Sequence, residues 1–142
     1  MSTHELASSL RSVISKLHKG LRRHSTSAGH YSMTEIETIG HLFHATSLLP
    51  SELATLTRIT TQSMSQILSK LEEQGLIKRT PSKEDGRKVY ISLTASGKKI
   101  IEKTRYERDE WLNTLIETSL TAKEKEVLQK ALPVLKKLSE AR

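Results

Sequence analysis

The sequence predicts a mainly α-helical chain carrying one small β-hairpin, and three observations predict it. Leucine and isoleucine recur at steps of three and four through most of the 142 residues, the spacing that lines one face of a helix. Only between Ile77 and Leu93 does the apolar period drop to two, as in a half-buried strand. Threonine heads four of the helical runs, as Thr34, Thr60, Thr94 and Thr121, where its hydroxyl can accept a free backbone N–H.

In chain order, Leu6, Leu10, Val13, Leu17 and Leu21 place an amphipathic helix over residues 4–23. Ser25-Thr26-Ser27-Ala28-Gly29 breaks it. Thr34 followed by Glu37 is a capping-box signature and opens a helix with Ile36, Ile39, Leu42 and Phe43 on its apolar side. Pro50 suits a first turn and begins a short helix, Ser51 to Leu56, that stops near Thr57-Arg58-Ile59. Thr60 caps the next helix, whose stripe is Met64, Ile67, Leu68 and Leu71. Gly75 closes it, since glycine takes a left-handed cap without steric cost.

Ile77 to Thr80 and Lys88 to Leu93 read as strands, with Val89, Ile91 and Leu93 alternating against Tyr90 and Ser92. Asp85-Gly86 between them supplies a turn that tolerates positive φ. Thr94 then caps a long helix through Ile100, Ile101, Trp111, Leu112 and Leu115. A second capping box, Thr121 with Glu124, starts a last helix carrying Val127, Leu128, Ala131, Leu132, Leu135 and Leu138, which Pro133 should kink.

Composition removes several function classes. The chain has no cysteine, which excludes disulfide frameworks, thiolate metal sites and cysteine nucleophiles. Its apolar runs fall far short of the roughly 18 residues of a membrane span. The polar start Met1-Ser2-Thr3-His4-Glu5 lacks the order of a secretion signal, so a cytoplasmic protein without a membrane partner is expected. No Gly-rich phosphate loop, nucleophile elbow or paired-carboxylate motif points to an enzyme, and no cofactor or metal is expected.

The net charge of +7 is unevenly placed. Residues 58–108 hold twelve Lys/Arg against six acids, whereas residues 32–57 hold three acids and no Lys/Arg. Such asymmetry is expected of a chain that meets a polyanion, nucleic acid above all; the plainer reading is a solvated basic face. Two short helices joined by a tight turn, followed by a basic hairpin, is the order of a winged helix-turn-helix. In that arrangement the second helix buries one face and offers the other to a DNA major groove. Opposite Met64, Ile67 and Leu71 lie Gln62, Ser65, Gln66 and Ser69, uncharged hydrogen-bonding groups short enough to reach base edges. An ordinary solvated face would carry Glu and Lys instead.

The run Leu71-Glu72-Glu73-Gln74-Gly75-Leu76-Ile77-Lys78-Arg79, the tip Asp85-Gly86-Arg87 and the junction Leu93-Thr94-Ala95-Ser96-Gly97 resemble the MarR family of transcriptional regulators. With the flanking helices, the resemblance covers nearly the whole chain. It implies a single domain over 1–142, with a winged helix-turn-helix lobe at 32–97 and intertwined dimerisation helices at 1–31 and 98–142. It further implies a homodimer that binds a pseudo-palindrome in double-stranded DNA, more often as a repressor. Carried over by position, Thr61, Gln62, Ser63, Ser65 and Gln66 would lie on the recognition helix, with Arg58, Lys70, Lys83 and Lys88 as further contacts. Arg87 would be the wing arginine and Asp85 its brace. One departure is visible: Thr57-Arg58 stands where many members have Leu-Gly, which bears on the turn geometry and on Arg58 as a phosphate contact.

All six histidines fall within residues 1–44. His41 and His44 share a helix face near Glu37, a spacing compatible with a metal, although histidines at an interface or surface are the plainer reading. Members responding to aromatic acids bind them between the dimer helices and the lobe, so the resemblance offers Tyr31, His41, Tyr106 and Trp111 as lining for a small aromatic or anionic ligand. Core packing is the plainer role for Trp111. The expectation is a DNA-binding repressor released by a small ligand; the alternatives are a protein-docking winged helix and a metal-responsive regulator.

Overall fold

The computed structural model describes residues 1–25 and 30–141. Helix α1, Thr3–Arg23, starts from a reciprocal box in which the Ser2 hydroxyl accepts the Glu5 N–H and Glu5 accepts the Ser2 N–H. It ends at the His24 cap; beyond Ser25, the break expected through Gly29 lies outside the described residues. Helix α2 spans Met33–Ala45. Its box is Ser32 with Glu35 (3.1 and 2.9 Å) rather than Thr34 with Glu37. Two such pairs overlap in the sequence, and the helix starts from the earlier one. Thr34 therefore lies inside the first turn, where its carbonyl accepts the Thr38 hydroxyl at 2.7 Å.

A two-residue strand β1, Ser47–Leu48, follows, then α3, Pro50–Thr57, and α4, Thr61–Glu73. The Thr60 hydroxyl caps α4 by accepting the Ser63 N–H at 3.0 Å. Gly75 takes φ +74°, the left-handed value that its place after α4 requires. Strands β2, Ile77–Pro81, and β3, Val89–Leu93, pair antiparallel with Ile77 opposite Leu93 and Pro81 opposite Val89. Strand β1 adds to the outer edge of β3, giving the order β1-β3-β2. The hairpin is thus one part of a three-stranded sheet. Helices α5, Ala95–Ser119, and α6, Ala122–Glu140, complete the chain, each started by its expected threonine. The α6 helix continues through Pro133.

One apolar core joins the middle elements. Ile36, Ile39 and Leu42 of α2 pack with Leu53 of α3, Met64, Leu68 and Leu71 of α4, Ile91 and Leu93 of β3, and Ile101 of α5. Leu68 has no exposed surface, so truncating it to alanine costs about 2–5 kcal/mol. The Leu-Thr-x-x-Gly junction has a steric cause: a β-carbon at Gly97 would run into the Leu76 carbonyl. Thr94 ties the same point by donating to the Gly75 carbonyl at 2.6 Å. The base of the hairpin and the start of α5 are thereby fixed together, which orients the wing relative to α4. By contrast, α1 and α6 bury no described residue, and Leu6, Val13, Ile14, Leu17, Val127, Leu132, Val134 and Leu138 are exposed.

Candidate nucleic-acid interface

Helix α4 separates its side chains cleanly. Met64, Leu68 and Leu71 are buried, whereas Thr61, Gln62, Ser63, Ser65, Gln66 and Ser69 are exposed. Burial of the 64/68/71 stripe against α2 and α3 leaves no rotation by which the polar face could turn inward. Ser63 is engaged locally, since its hydroxyl accepts the Thr60 hydroxyl proton at 2.9 Å. The Lys70 ammonium is also engaged, at 2.9 and 3.1 Å from the two oxygens of buried Glu35. That contact ties α4 to the start of α2.

The wing tip is built differently from the expected positive-φ turn. Among the described glycines only Gly75 has positive φ. The Asp85 carboxylate does the turning instead: its Oδ1 accepts the Arg87 backbone N–H at 3.1 Å, the local bridge that aspartate commonly makes in turns. Lys88 N–H to the Asp85 carbonyl (2.9 Å) and Ser82 N–H to the Lys88 carbonyl (2.8 Å) close the loop. The same Asp85 oxygen accepts the Arg87 Nε–H at 3.3 Å, with Arg87 93% exposed and Asp85 35%. One carboxylate oxygen therefore fixes both the turn and the arginine. Lys83 and Lys88 are exposed alongside.

Between α3 and α4, Arg58 occupies the left-handed region at φ 57°, ψ 42°. A side chain there costs about 1–2 kcal/mol. Its N–H caps α3 through the Thr55 carbonyl at 3.3 Å.

A profile described as the MarR family matches residues 32–88, the segment from the α2 cap to the wing tip. Over that segment the chain is similar to the MarR family. An HTH-type transcriptional regulator of Mycobacterium bovis is 28% identical over 130 residues, which span 92% of this chain and 90% of that one. A crystal structure of a putative transcriptional regulator from Pseudomonas aeruginosa superposes with a TM-score of 0.85 at 27% identity, covering 97% of this chain and 96% of the other. A Staphylococcus aureus MepR variant bound to an oligodeoxyribonucleotide superposes with a TM-score of 0.70 at 22% identity, covering 99% and 100%.

The chain also holds a cleft of about 360 Å³ between α1, α2 and α5. Tyr31 and His41 line it as expected; Tyr106 and Trp111 do not. Tyr106 is 66% exposed on another face of α5. Trp111 instead stacks on His24, with ring centroids 5.0 Å apart, and packs against Gly20, where a β-carbon would collide with the indole. Basic side chains that the sequence expectation does not include also line it: His18 and Arg22 from α1, Arg105 and Arg108 from α5. The i,i+3 spacing of the two α5 arginines was the signal available.

Met33, Ile36 and Ile101 form the apolar part of the cleft, and Glu37 is its acid. The Arg105 guanidinium donates to His44 Nε2 at 2.6 Å and lies 4.6 Å from the Phe43 ring centroid. His41 Nε2 lies 3.6 Å from Glu37 Oε1, too far for a hydrogen bond. It and Arg108 Nε are buried polar atoms without a partner among the described residues. No group of three or more His, Cys, Asp or Glu side chains that could hold a metal occurs among the described residues. No helix is long and apolar enough to cross a membrane among the described residues.

Proposed function

We propose that the chain is a dimeric, sequence-specific repressor of a pseudo-palindromic operator, released by a small anionic ligand. The observation that carries the DNA reading is the exposed, uncharged Thr/Gln/Ser face of α4, held outward by the buried Met64, Leu68 and Leu71. Uncharged amides and hydroxyls suit a helix that must approach base edges, and glutamine can pair bidentately with adenine. Thr61, Gln62, Ser63, Ser65 and Gln66 supply that reading surface. Lys83 and Lys88 meet phosphates, and Arg87, braced by Asp85, enters the flanking minor groove. Lys70 acts through position, holding α4 on Glu35. The MepR variant that carries an oligodeoxyribonucleotide has the same fold.

The dimer rests on the exposed leucine and valine faces of α1 and α6, which the single chain leaves uncovered. Residues 1–31 and 98–142 supply the dimer helices and residues 32–97 the winged lobe. The dimer then sets the two recognition helices about one turn of DNA apart, roughly 34–36 Å. A ligand in the cleft between α1, α2 and α5 shifts that spacing only by its differential affinity for the two states.

Selection of bound duplexes from a random library, followed by footprinting, tests the reading. Enrichment of an inverted repeat with half-sites about ten base pairs apart supports it. Failure to bind any duplex at low salt overturns it in favour of a protein-docking winged helix.

A further inference from the structure

We infer that Arg58 is a DNA-backbone contact kept at the expense of folding stability, an inference that rests on the DNA-binding reading above. The Arg58 backbone lies in the left-handed region, where a β-carbon crowds the following carbonyl and glycine fits freely. The fold returns nothing for that strain. The side chain is exposed, and among the described residues no hydrogen bond or ion pair holds it. The capping of α3 uses only the backbone N–H, which any residue but proline supplies. If conformation alone mattered, glycine or asparagine would serve better. A long cation at this position therefore acts on something outside the chain.

Its place in the fold says what. Arg58 lies in the turn that delivers α4, two residues before the Thr60 cap and three before the exposed polar face begins at Thr61. It is also the first Lys or Arg after residues 32–57, which contain none. A recognition helix that contacts bases through its N-terminal residues brings the preceding turn close to the sugar-phosphate backbone. A guanidinium there meets phosphate oxygens with a planar fork of donors.

Three variants of the full chain separate strain from charge. Arg58→Gly removes both, Arg58→Ala removes the charge and keeps the strain, and Arg58→Lys keeps both. The measurements are the melting temperature without DNA and the affinity for operator and random duplex across a salt series. Arg58→Gly should melt higher by about 2–8 °C, while Arg58→Ala and Arg58→Lys melt close to wild type. Arg58→Gly and Arg58→Ala should bind both duplexes roughly three- to tenfold more weakly near 0.1 M salt, with a salt slope shallower by about 0.9. Arg58→Lys should recover most of that slope.

A lower melting temperature for Arg58→Gly overturns the strain. An unchanged slope in Arg58→Ala overturns the contact while leaving the DNA-binding reading intact. A wild-type chain that binds no duplex removes that reading and this inference together.

Discussion

Glu35 and Lys70, thirty-five residues apart, meet at 2.9 Å and join the cap of α2 to helix α4. The pair is asymmetric: the Glu35 side chain is 5% exposed and the Lys70 side chain 51%. Burial pushes the Glu35 carboxyl up. The Ser32 backbone N–H, the Lys70 ammonium and the Ser32 hydroxyl together outweigh it and hold the carboxyl below its ordinary 4.5. A carboxylate whose folded pKa is depressed contributes stability above its unfolded pKa and loses it as pH falls through the folded value. Wild-type stability should therefore decline from about pH 5 downward. Glu35→Gln should be less stable than wild type at pH 7 by about 1–3 kcal/mol, with the difference shrinking in acid. Parallel denaturant titrations at pH 7 and pH 3.5 check this, and a gap that stays constant would refute the linkage.

The face of α4 and the flank of the wing should respond differently to truncation. Gln62→Ala or Gln66→Ala should lose about 1–3 kcal/mol on the selected operator and little on random duplex, if that glutamine pairs with a base edge. Lys88→Ala should weaken both about equally and flatten the salt dependence. Gel-shift titrations on the two duplexes decide. Equal loss on both duplexes for the glutamine variants would remove α4 as the reader.

What the sequence made legible, and what it hid, follows the range of the interactions. The Thr60, Thr94 and Thr121 caps and the 64/68/71 stripe are local, and the structure has them where periodicity places them. The α2 cap was displaced because Ser32/Glu35 and Thr34/Glu37 satisfy the same local rule. What favours the first is a partner on another helix, Lys70. Strand β1 has two residues, too few to show a period, and exists by pairing with β3 across more than forty positions. The lining of the cleft is hidden for a similar reason: which face of α5 turns inward depends on packing against α1 and α2, and that packing brings Arg105 and Arg108 to the cleft and leaves Tyr106 outside it.

Association should be lost when a charge enters the α6 face. Leu132 is 56% exposed and Leu138 58% exposed in a single chain, so neither supports the fold of the lobe. Leu132→Glu should shift the dimer to monomer by at least about tenfold in dissociation constant, while the lobe keeps its helical signal. Removing residues 121–142 should yield aggregated or unfolded protein. Sedimentation equilibrium over a concentration series measures the first effect, and a soluble, monomeric, DNA-binding truncation would sink the dimer.

An anion should bind the α1–α2–α5 cleft through Arg108. Benzoate, with an apolar ring for Met33, Ile36 and Ile101 and a carboxylate for the cationic side, is a suitable probe. At a hundredfold excess over its dissociation constant it would stabilise the chain by about 2.7 kcal/mol. Arg108→Gln should lose most of that thermal shift, whereas Tyr106→Ala should retain it because Tyr106 lies outside the cleft. Equal shifts in both variants would move the ligand elsewhere.

The wing makes the sharpest test, because geometry and charge counting predict opposite signs. Asp85 is an acid at a tip flanked by Lys83, Arg87 and Lys88, so removing it raises the local positive charge. If charge alone governed binding, Asp85→Ala would bind the operator more tightly. Its Oδ1, however, accepts both the Arg87 N–H and the Arg87 Nε–H, at 3.1 and 3.3 Å. Removing it frees the turn and the guanidinium together. Because Arg87 is 93% exposed, this pair contributes under about 1 kcal/mol to folding. Arg87→Ala should accordingly weaken operator binding with little change in melting temperature, and erase any preference for A·T-rich flanks. Asp85→Ala should change binding in the same direction, by a smaller factor, since the arginine remains but no longer starts in one orientation. Asp85→Asn discriminates further: its amide oxygen can still accept the backbone N–H and keep the turn, while the charged grip on the guanidinium is lost. Affinity for Asp85→Asn should therefore fall between wild type and Asp85→Ala when measured near 0.1 M salt. Tighter operator binding by Asp85→Ala at that salt would falsify the bracing role and leave charge as the governing quantity.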